Sequence, residues 1–181
     1  MPLDLTVLSI DRDDRLHSYC VTARCSYGSF LTLTAGAETN LSIQRSIIKG
    51  AKAYATLRAD LRRGCILPPV VLAAKCDLST PIEQTFVSLR LDQITTDLAN
   101  LKSEDVYVID GLQRTNAIRQ TLEELNDDEK PIFLARILRV ELWINISFGA
   151  IAYRMLLLNA GQRPMSVRHQ VEVLSSKLVD D

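Results

Sequence analysis

The chain has 181 residues, of which 47% are hydrophobic and 24% charged, an ordinary composition for a globular domain with a buried core. Its 21 basic and 22 acidic residues leave a net charge of −1, which excludes a histone-like nucleic-acid binder and gives no overall attraction to anionic membranes. Any anion-binding site must therefore arise from a local arrangement of residues.

The chain contains four cysteines without a Cys-x-x-Cys spacing and only two histidines, which argues against a zinc site and favours unpaired thiols in a reducing compartment. No apolar run reaches membrane-spanning length, and the first residues lack the basic and apolar segments of a signal peptide. We therefore expect a cytoplasmic protein that does not contact a membrane.

The first third of the chain predicts a hairpin and a long helix. Residues 3–10 and about 18–34 are rich in Val, Thr, Tyr and Phe, and we expect Gly28 in the hairpin turn. Residues 40–64 repeat apolar side chains every three or four positions, with Gly64 as the helix end. The basic residues on or near the polar side of this helix are Arg45, Lys49, Lys52, Arg58 and Arg62. They form a solvated face of the helix, unless this face adjoins a binding site and serves as a contact surface.

The middle of the chain alternates strands and helices. CILPPVVLAAK predicts a strand entered from rigid prolines, FVSLRLDQI a strand, and TTDLANLKS a short helix capped by Thr95 or Thr96. DVYVID reads as a buried strand, and RTNAIRQTLEEL as a helix whose inward residues are Ala117, Ile118, Leu122 and Leu125.

The last third predicts a strand or strand pair in IFLARILRVELWINI, a helix opened by Ser147, and another helix capped by Ser166. The order of elements indicates a mixed α/β (α+β) fold. We expect one domain over residues 1–181, in which an N-terminal hairpin (1–40) leads into a core (41–181).

The turn in VYVIDGLQRT carries the strongest chemical pattern. A strand ends at Asp110-Gly111 and a helix begins within two residues, so unpaired backbone N–H groups and the helix dipole favour an anion there. Gly111 allows close approach to the backbone, and Arg114 offers a planar fork of donors for phosphate. Gln113 could orient a base, a ribose or a water, and Asp110 could hold a metal, accept a proton or cap the helix.

A purely structural interpretation of this turn has equal standing on spacing alone. Asp-Gly is a common turn pair, and an arginine four residues after an aspartate commonly forms a local ion pair. A second turn, LLLNAGQRPMS, again places amides and an arginine beside a helix start, through Asn159, Gln162 and Arg163. It could be an ordinary helix terminator, but two such turns suggest two halves of one anion-binding cleft.

YVIDGLQRTNAI resembles the signature turn of the ParB-like superfamily, in particular the DGQHR and DGQQR branches of bacterial DNA-modification, phosphorothioation-linked and phage-defence systems. LRRGCILPPVVLAAK resembles the family segment in which a helix ends at glycine and a proline opens a strand. LLLNAGQRPMSVRHQVEVL resembles the later helix end with Asn, Gln, a basic residue, Pro and Ser. The three segments cover about residues 43–75, 106–125 and 147–175, most of the chain.

The resemblance implies a ParB/sulfiredoxin-like mixed sheet with flanking helices that binds a nucleotide or nucleic-acid phosphates at this turn. The implied ligand is an NTP (CTP, GTP or ATP) with Mg²⁺, positioned by Asp110. The implied catalytic residues are Asp110, Gln113 and Arg114. The implied phosphate-binding residues are Gly111, Arg114, Asn159, Gln162 and Arg163.

The sequence also departs from the family pattern. Gln113 stands where the signature has His, and Leu112 where it has Gln, so a histidine-dependent mechanism is unsupported. No cysteine lies in the loop, which argues against sulfiredoxin-like peroxiredoxin repair. Relatives often carry a further domain after the last helix, so we expect either a short family member or a fragment of a longer protein.

Three functions follow from the resemblance. The leading one is a nucleotide-binding domain, with or without NTP hydrolysis, that acts on or near DNA in a modification or phage-defence pathway, with partner proteins of the same operon. The second is a non-catalytic DNA-binding regulator or assembly module. The third is a DNA-nicking nuclease, less favoured because Asp110 is the single acid at the turn. A homodimer through apolar surface near Trp143 or the C-terminal helix also stays open.

Overall fold

The computed structural model of the protein describes residues 2–36, 52–88, 90–147 and 149–153, which form a mixed α/β fold. The strands of these residues build one five-stranded sheet in the order β1-β2-β5-β3-β4. Strands β3 and β5 are parallel, and the other neighbouring pairs are antiparallel. The strands are β1 (Leu5–Asp13), β2 (Ser18–Ser26), β3 (Val70–Ala74), β4 (Val106–Asp110) and β5 (Ile137–Ile144). The predicted fold class, a mixed sheet with flanking helices, is confirmed.

Helices flank this sheet along the described part of the chain. They are α1 (Tyr27–Leu33), α2 (Lys52–Arg63), α3 (Ile82–Ser88), α4 (Leu91–Leu98), α5 (Leu112–Glu124) and α6 (Lys130–Leu134), with a 3-10 turn at Ser103–Asp105. Residues 149–153 are also helical, and the Ser147 hydroxyl accepts a hydrogen bond from the Ala150 N–H at 3.3 Å, as an N-cap does. The helix expected around Ser166 lies outside the described residues.

The N-terminal hairpin forms, but its turn is not at Gly28. Strands β1 and β2 are joined at residues 14–17, where the Asp13 carboxylate accepts hydrogen bonds from the Arg15 and Leu16 N–H groups at 3.0 and 3.1 Å. Gly28 lies instead inside α1, because the Ser26 hydroxyl accepts a hydrogen bond from the Ser29 N–H and caps a helix at this point. The same small polar residues that suggested a turn therefore start a helix.

The segment from 82 to 98 also differs from its prediction, because the expected strand is helical. Phe86 of α3 packs on Tyr19 with ring centroids 5.5 Å apart, so the apolar residues of this segment reach the core from helices. Thr95 and Thr96 lie within α4 and do not cap it. Their hydroxyls donate to the carbonyls of Leu91 and Asp92 one turn earlier, which satisfies them inside a helix.

The predictions for the other described elements are closer. Helix α2 ends at Gly64, which has φ 92°, and β3 and β4 follow the expected segments. Residues 130–134 form α6, so IFLARILRVELWINI holds a helical turn and one strand, not a strand pair. The part of the predicted first helix before residue 52 lies outside the described residues.

One face of the sheet packs into the larger core, and the opposite face is divided between a smaller apolar cluster and exposed residues. The larger core joins the inward side chains of all five strands to buried residues of α1, α2, α4, α5 and α6. The opposite face carries a smaller apolar cluster of Cys20, Val71, Ala73, Ile109, Trp143 and Ile151. Trp143, near which a dimer surface was expected, is therefore buried.

No disulfide joins Cys20, Cys25, Cys65 or Cys76. Across the ranges that the structure describes, no helix is both long enough and apolar enough to cross a bilayer.

Candidate phosphate-binding turn

The candidate turn follows the end of β4, which is an edge strand of the sheet. Asp110 pairs with Val71 and Val108 pairs with Leu72, so one extra residue of β4 bulges between these two rows. A bulge of this kind bends a strand and redirects the side chains that follow it. The bulge thus lies immediately before the Asp110-Gly111 turn.

Gly111 is required at this turn for two reasons. Its φ of 102° and ψ of 15° lie in the left-handed region that side chains disfavour. A Cβ at this position would also lie 3.0 Å from Nη2 of Arg114 and 3.1 Å from Cγ1 of Val70. The backbone is therefore approached closely from both sides, by a guanidinium and by the core.

Helix α5 begins at Leu112 without a side-chain cap. The Thr115 N–H makes the first helical bond, to the Gly111 carbonyl at 2.9 Å, and the Thr115 hydroxyl donates to the same oxygen at 3.1 Å. The N–H groups of the first turn precede this bond and point out of the helix start. The alternative in which Asp110 caps the helix is wrong, because Gly111 occupies the N-cap position and no side chain caps the helix.

The Asp110 carboxylate instead pairs with Arg114. Nη2 of Arg114 donates to Oδ2 of Asp110 at 2.5 Å, so the local ion pair foreseen as the structural alternative is present. The Arg114 side chain is 20% exposed and that of Asp110 is 42% exposed. A guanidinium has five N–H donors, and this contact uses one of them, so the pair holds the fork in place without saturating it.

The other predicted residues divide between the described and the remaining parts of the chain. Gln113 lies half-buried in the first turn of α5, beside the two residues that form the pair. Asn159, Gln162 and Arg163 lie outside the described residues. The predicted cleft between the two turns therefore stays a prediction.

Asn116 is a residue of α5 that sequence reasoning missed. It is 2% exposed, and within the described ranges neither its amide nitrogen nor its amide oxygen has a hydrogen-bond partner. A buried amide without partners costs free energy, so such groups usually bond to water or to a ligand. The signal in the sequence was an asparagine directly before the inward-facing Ala117 and Ile118, within one helical turn of the candidate site.

Two arginines on the basic side of α2 form ion pairs with α5. Arg58 and Arg62 both form ion pairs with Glu124 at the end of α5, the second at 2.9 Å. These two arginines therefore link two helices and are less available to an external anion than a solvated face would be. Arg45, Lys49 and the side chain of Lys52 lie outside the described residues.

The metal prediction rests on Asp110 alone. In the described residues, no three His, Cys, Asp or Glu side chains gather as metal ligands. Mg²⁺ is commonly held by one or two carboxylates together with substrate phosphates and water, so Asp110 fits that donor set only with a phosphate ligand present.

Comparisons with protein-family models, with curated proteins and with solved structures find no match to this chain. The ParB-like resemblance therefore stays a prediction.

Proposed function

We propose that the turn between β4 and α5 binds the phosphate groups of a nucleotide, and that the protein is a nucleotide-binding domain that acts on or near DNA. The observation that carries the proposal is the position of the Arg114 guanidinium, whose Nη2 lies 3.0 Å from a Cβ built on Gly111, the N-cap residue of a helix that has no side-chain cap. A cation and a set of backbone donors thus converge on one small region.

Electrostatics supports a phosphate at this position. The N-terminus of a helix carries about half a positive charge, and its free N–H groups can donate directly to phosphate oxygens. Arg114 adds a full positive charge with donors in a planar fork that fits tetrahedral oxyanions. Gly111 has no side chain, which lets the Arg114 guanidinium lie close to the backbone at the start of the helix.

Asp110 makes phosphate binding depend on Mg²⁺. Its carboxylate competes with a phosphate for Arg114 and repels it, so a phosphate alone would gain little from the paired arginine. Mg²⁺ would neutralise phosphate charge when bound beside Asp110. Gln113, in the same first turn, is the residue we assign to orienting a water where NTP hydrolysis follows binding.

The first test replaces Arg114 with alanine. Loss of charge-assisted hydrogen bonds, worth about 1.5–3 kcal/mol, should weaken nucleotide binding about 10- to 100-fold. The fold should persist, because the freed Asp110 carboxylate is 42% exposed and lies beside the positive end of the α5 dipole. Titration calorimetry with CTP, GTP and ATP in the presence of Mg²⁺ measures the affinity.

Arg63→Ala provides a matched control, since it removes the same charge from an exposed arginine at the end of α2. Equal affinities for Arg114→Ala and wild type would contradict the proposal, and so would a wild-type protein that binds none of the three nucleotides.

The second test replaces Asp110 with asparagine, which keeps the shape and removes the negative charge. We expect Asp110→Asn to bind nucleotide more tightly than wild type without Mg²⁺, because Arg114 is released, and to lose most of its response to Mg²⁺. The measurement is a pair of calorimetric titrations, with Mg²⁺ and with EDTA. An Mg²⁺ response equal to that of wild type would remove Asp110 from the site.

A further inference from the structure

A pair of arginines stands directly opposed on the divided face of the sheet, away from the turn. Arg24 of β2 and Arg139 of β5 are register partners in neighbouring antiparallel strands, and both are exposed. Their chain neighbours Ala23, Cys25, Leu138 and Val140 all belong to the larger core, so strand alternation directs both arginines to the opposite face.

This pairing is unfavourable unless a counter-charge lies close, and the acid Glu141 stands on the same face, opposite Thr22, as a diagonal neighbour of Arg24. Register partners have Cβ atoms about 4.5–5.5 Å apart, and like charges at that distance repel. Among the described residues, no ion pair involves Arg24 or Arg139. Two guanidinium groups side by side present ten N–H donors to one small area of surface.

We propose that Arg24 and Arg139 bind the phosphate backbone of a nucleic-acid duplex. The surface around them is open, so a small anion would be held by two solvated charges and screened by salt. A polyanion gains more, because each neutralised phosphate also releases condensed counterions.

The surroundings favour a duplex over a flexible acidic peptide. Strands β2 and β5 are both paired on either side, so a peptide finds no free backbone edge to extend as a strand. A disordered acidic chain would also pay the entropy of ordering, whereas the charges of a duplex are already arranged.

The surroundings also favour a duplex over a single strand. The large hydrophobic side chains that the described residues expose are all aliphatic, and Tyr107 and Trp143 on this face are half-buried and buried, which leaves unpaired bases little ring surface for stacking. Leu8, 45% exposed, and Ile137, 57% exposed, are part of β1 and β5, the strands that carry or neighbour the pair, and offer apolar contact to sugars.

The charge pattern sets the direction of the bound backbone. A cleft of about 480 Å³ adjoins the pair and is lined by acids, including Asp11, Asp14 and Glu141. Glu141 follows Arg139 by two residues on the same face. A phosphate backbone would be repelled from this cleft, so it should run from the pair toward Ile137, at the start of β5.

The test uses fluorescence anisotropy of a labelled 20-base-pair duplex without nucleotide, in a salt series. Arg24→Glu and Arg139→Glu should each weaken binding at least about tenfold and reduce the salt slope by about one unit. Arg24→Glu should also raise the melting temperature by about 1–3 °C, because it replaces a repulsive cross-strand pair with an attractive one. That gain shows that lost binding is not lost folding.

Lys102→Glu is the matched control, since it makes the same charge change at an exposed residue before the start of β4, and it should alter affinity less than twofold. The proposal is overturned by a wild-type protein that does not bind duplex, by equal effects of Lys102→Glu and Arg24→Glu, by tighter binding of the single strand, or by equal competition from poly-glutamate.

Duplex binding by Arg24 and Arg139 does not depend on the nucleotide site. Arg114→Ala should weaken nucleotide binding and leave duplex binding unchanged, whereas Arg24→Glu should weaken duplex binding and leave nucleotide binding unchanged. Duplex binding that is lost in Arg114→Ala and kept in Arg24→Glu would place the DNA contact at the turn and refute the assignment to the sheet.

Discussion

At the scale of single residues, the candidate site depends on Gly111, which combines backbone strain with close packing. Its positive φ alone would disfavour any side chain. The guanidinium of Arg114 and the methyl group of Val70 also occupy the space into which a Cβ would project. Gly111 is thus the residue that lets the Arg114 guanidinium lie against the backbone at the start of α5.

Gly111→Ala should destabilise the protein more than Gly64→Ala. Both glycines have a positive φ, 102° and 92°, but nothing lies within 4 Å of a Cβ built on Gly64. Gly64→Ala therefore measures the backbone cost of about 1–2 kcal/mol, and Gly111→Ala adds overpacking of about 1 kcal/mol or more. Urea denaturation of both variants measures the difference. Equal losses of stability would show that Arg114 and Val70 move aside freely.

At the scale of elements, α2 is held at its C-terminal end by a residue just before β5. The Arg136 guanidinium donates to the carbonyl of Leu61 and, at 3.2 Å, to that of Arg62. The Leu61 carbonyl also accepts a hydrogen bond from the Gly64 N–H at 3.1 Å, and the partial negative charge of both carbonyls at the helix end favours a cation. Arg136 also lies 5.2 Å from the ring centroid of Phe133 in α6. One side chain thus joins α2, α6 and the sheet.

Arg136→Gln should lower the free energy of unfolding by about 1.5–3 kcal/mol, the range for hydrogen bonds from a charged donor. Arg63→Ala removes a cation from the same helix end without removing such a bond, and should cost less than about 0.5 kcal/mol. Guanidinium denaturation of the two variants makes the comparison. If both cost the same, Arg136 acts through the helix dipole alone.

At the scale of the whole molecule, thiol ionisation couples the core to pH. Burial raises the pKa of Cys25 from 9.0 to about 12, with Asp4 adding to the shift, and burial with Asp97, Asp77 and Asp105 raises that of Cys76 to about 11. In the unfolded chain these thiols ionise near pH 9. The stability that they contribute is therefore fully present below pH 9 and is lost as pH rises toward 11 and 12.

The melting temperature should therefore decline steadily between pH 9 and pH 10.5, and Cys25→Ala should decline less steeply than wild type over the same interval. Differential scanning calorimetry at pH 8, 9, 10 and 10.5 checks both statements. Parallel curves for the two proteins would mean that Cys25 ionises as easily in the folded state as in the unfolded chain.

Local patterns were enough to predict much of the fold. The three-to-four-residue spacing placed α2 and α5, and the β-branched runs placed β3 and β4. The prediction of secondary structure failed where the same local sequence pattern is compatible with two kinds of element. The serines and glycine at residues 26–29 suit a turn or a helix start, and the apolar residues at 86–94 suit a strand or a pair of helices.

The candidate site was predictable to the same degree. The position of the turn, the glycine in it and the helix start after it follow from neighbouring residues, and the structure has all three. The Asp110–Arg114 contact was one of two outcomes foreseen for an aspartate and an arginine four residues apart. The buried amide of Asn116 was not foreseen, because its burial depends on what packs around α5.

The sequence by itself determined the class of the fold and the place of the turn, since both depend on residues within a few positions of one another. Tertiary structure decided what each charge meets. Glu124 pairs with Arg58, 66 residues earlier, and Arg24 faces Arg139 across two strands. Such partners are chosen by which elements pack together, and the free energy that selects this packing is summed over the whole core and not carried by any short segment.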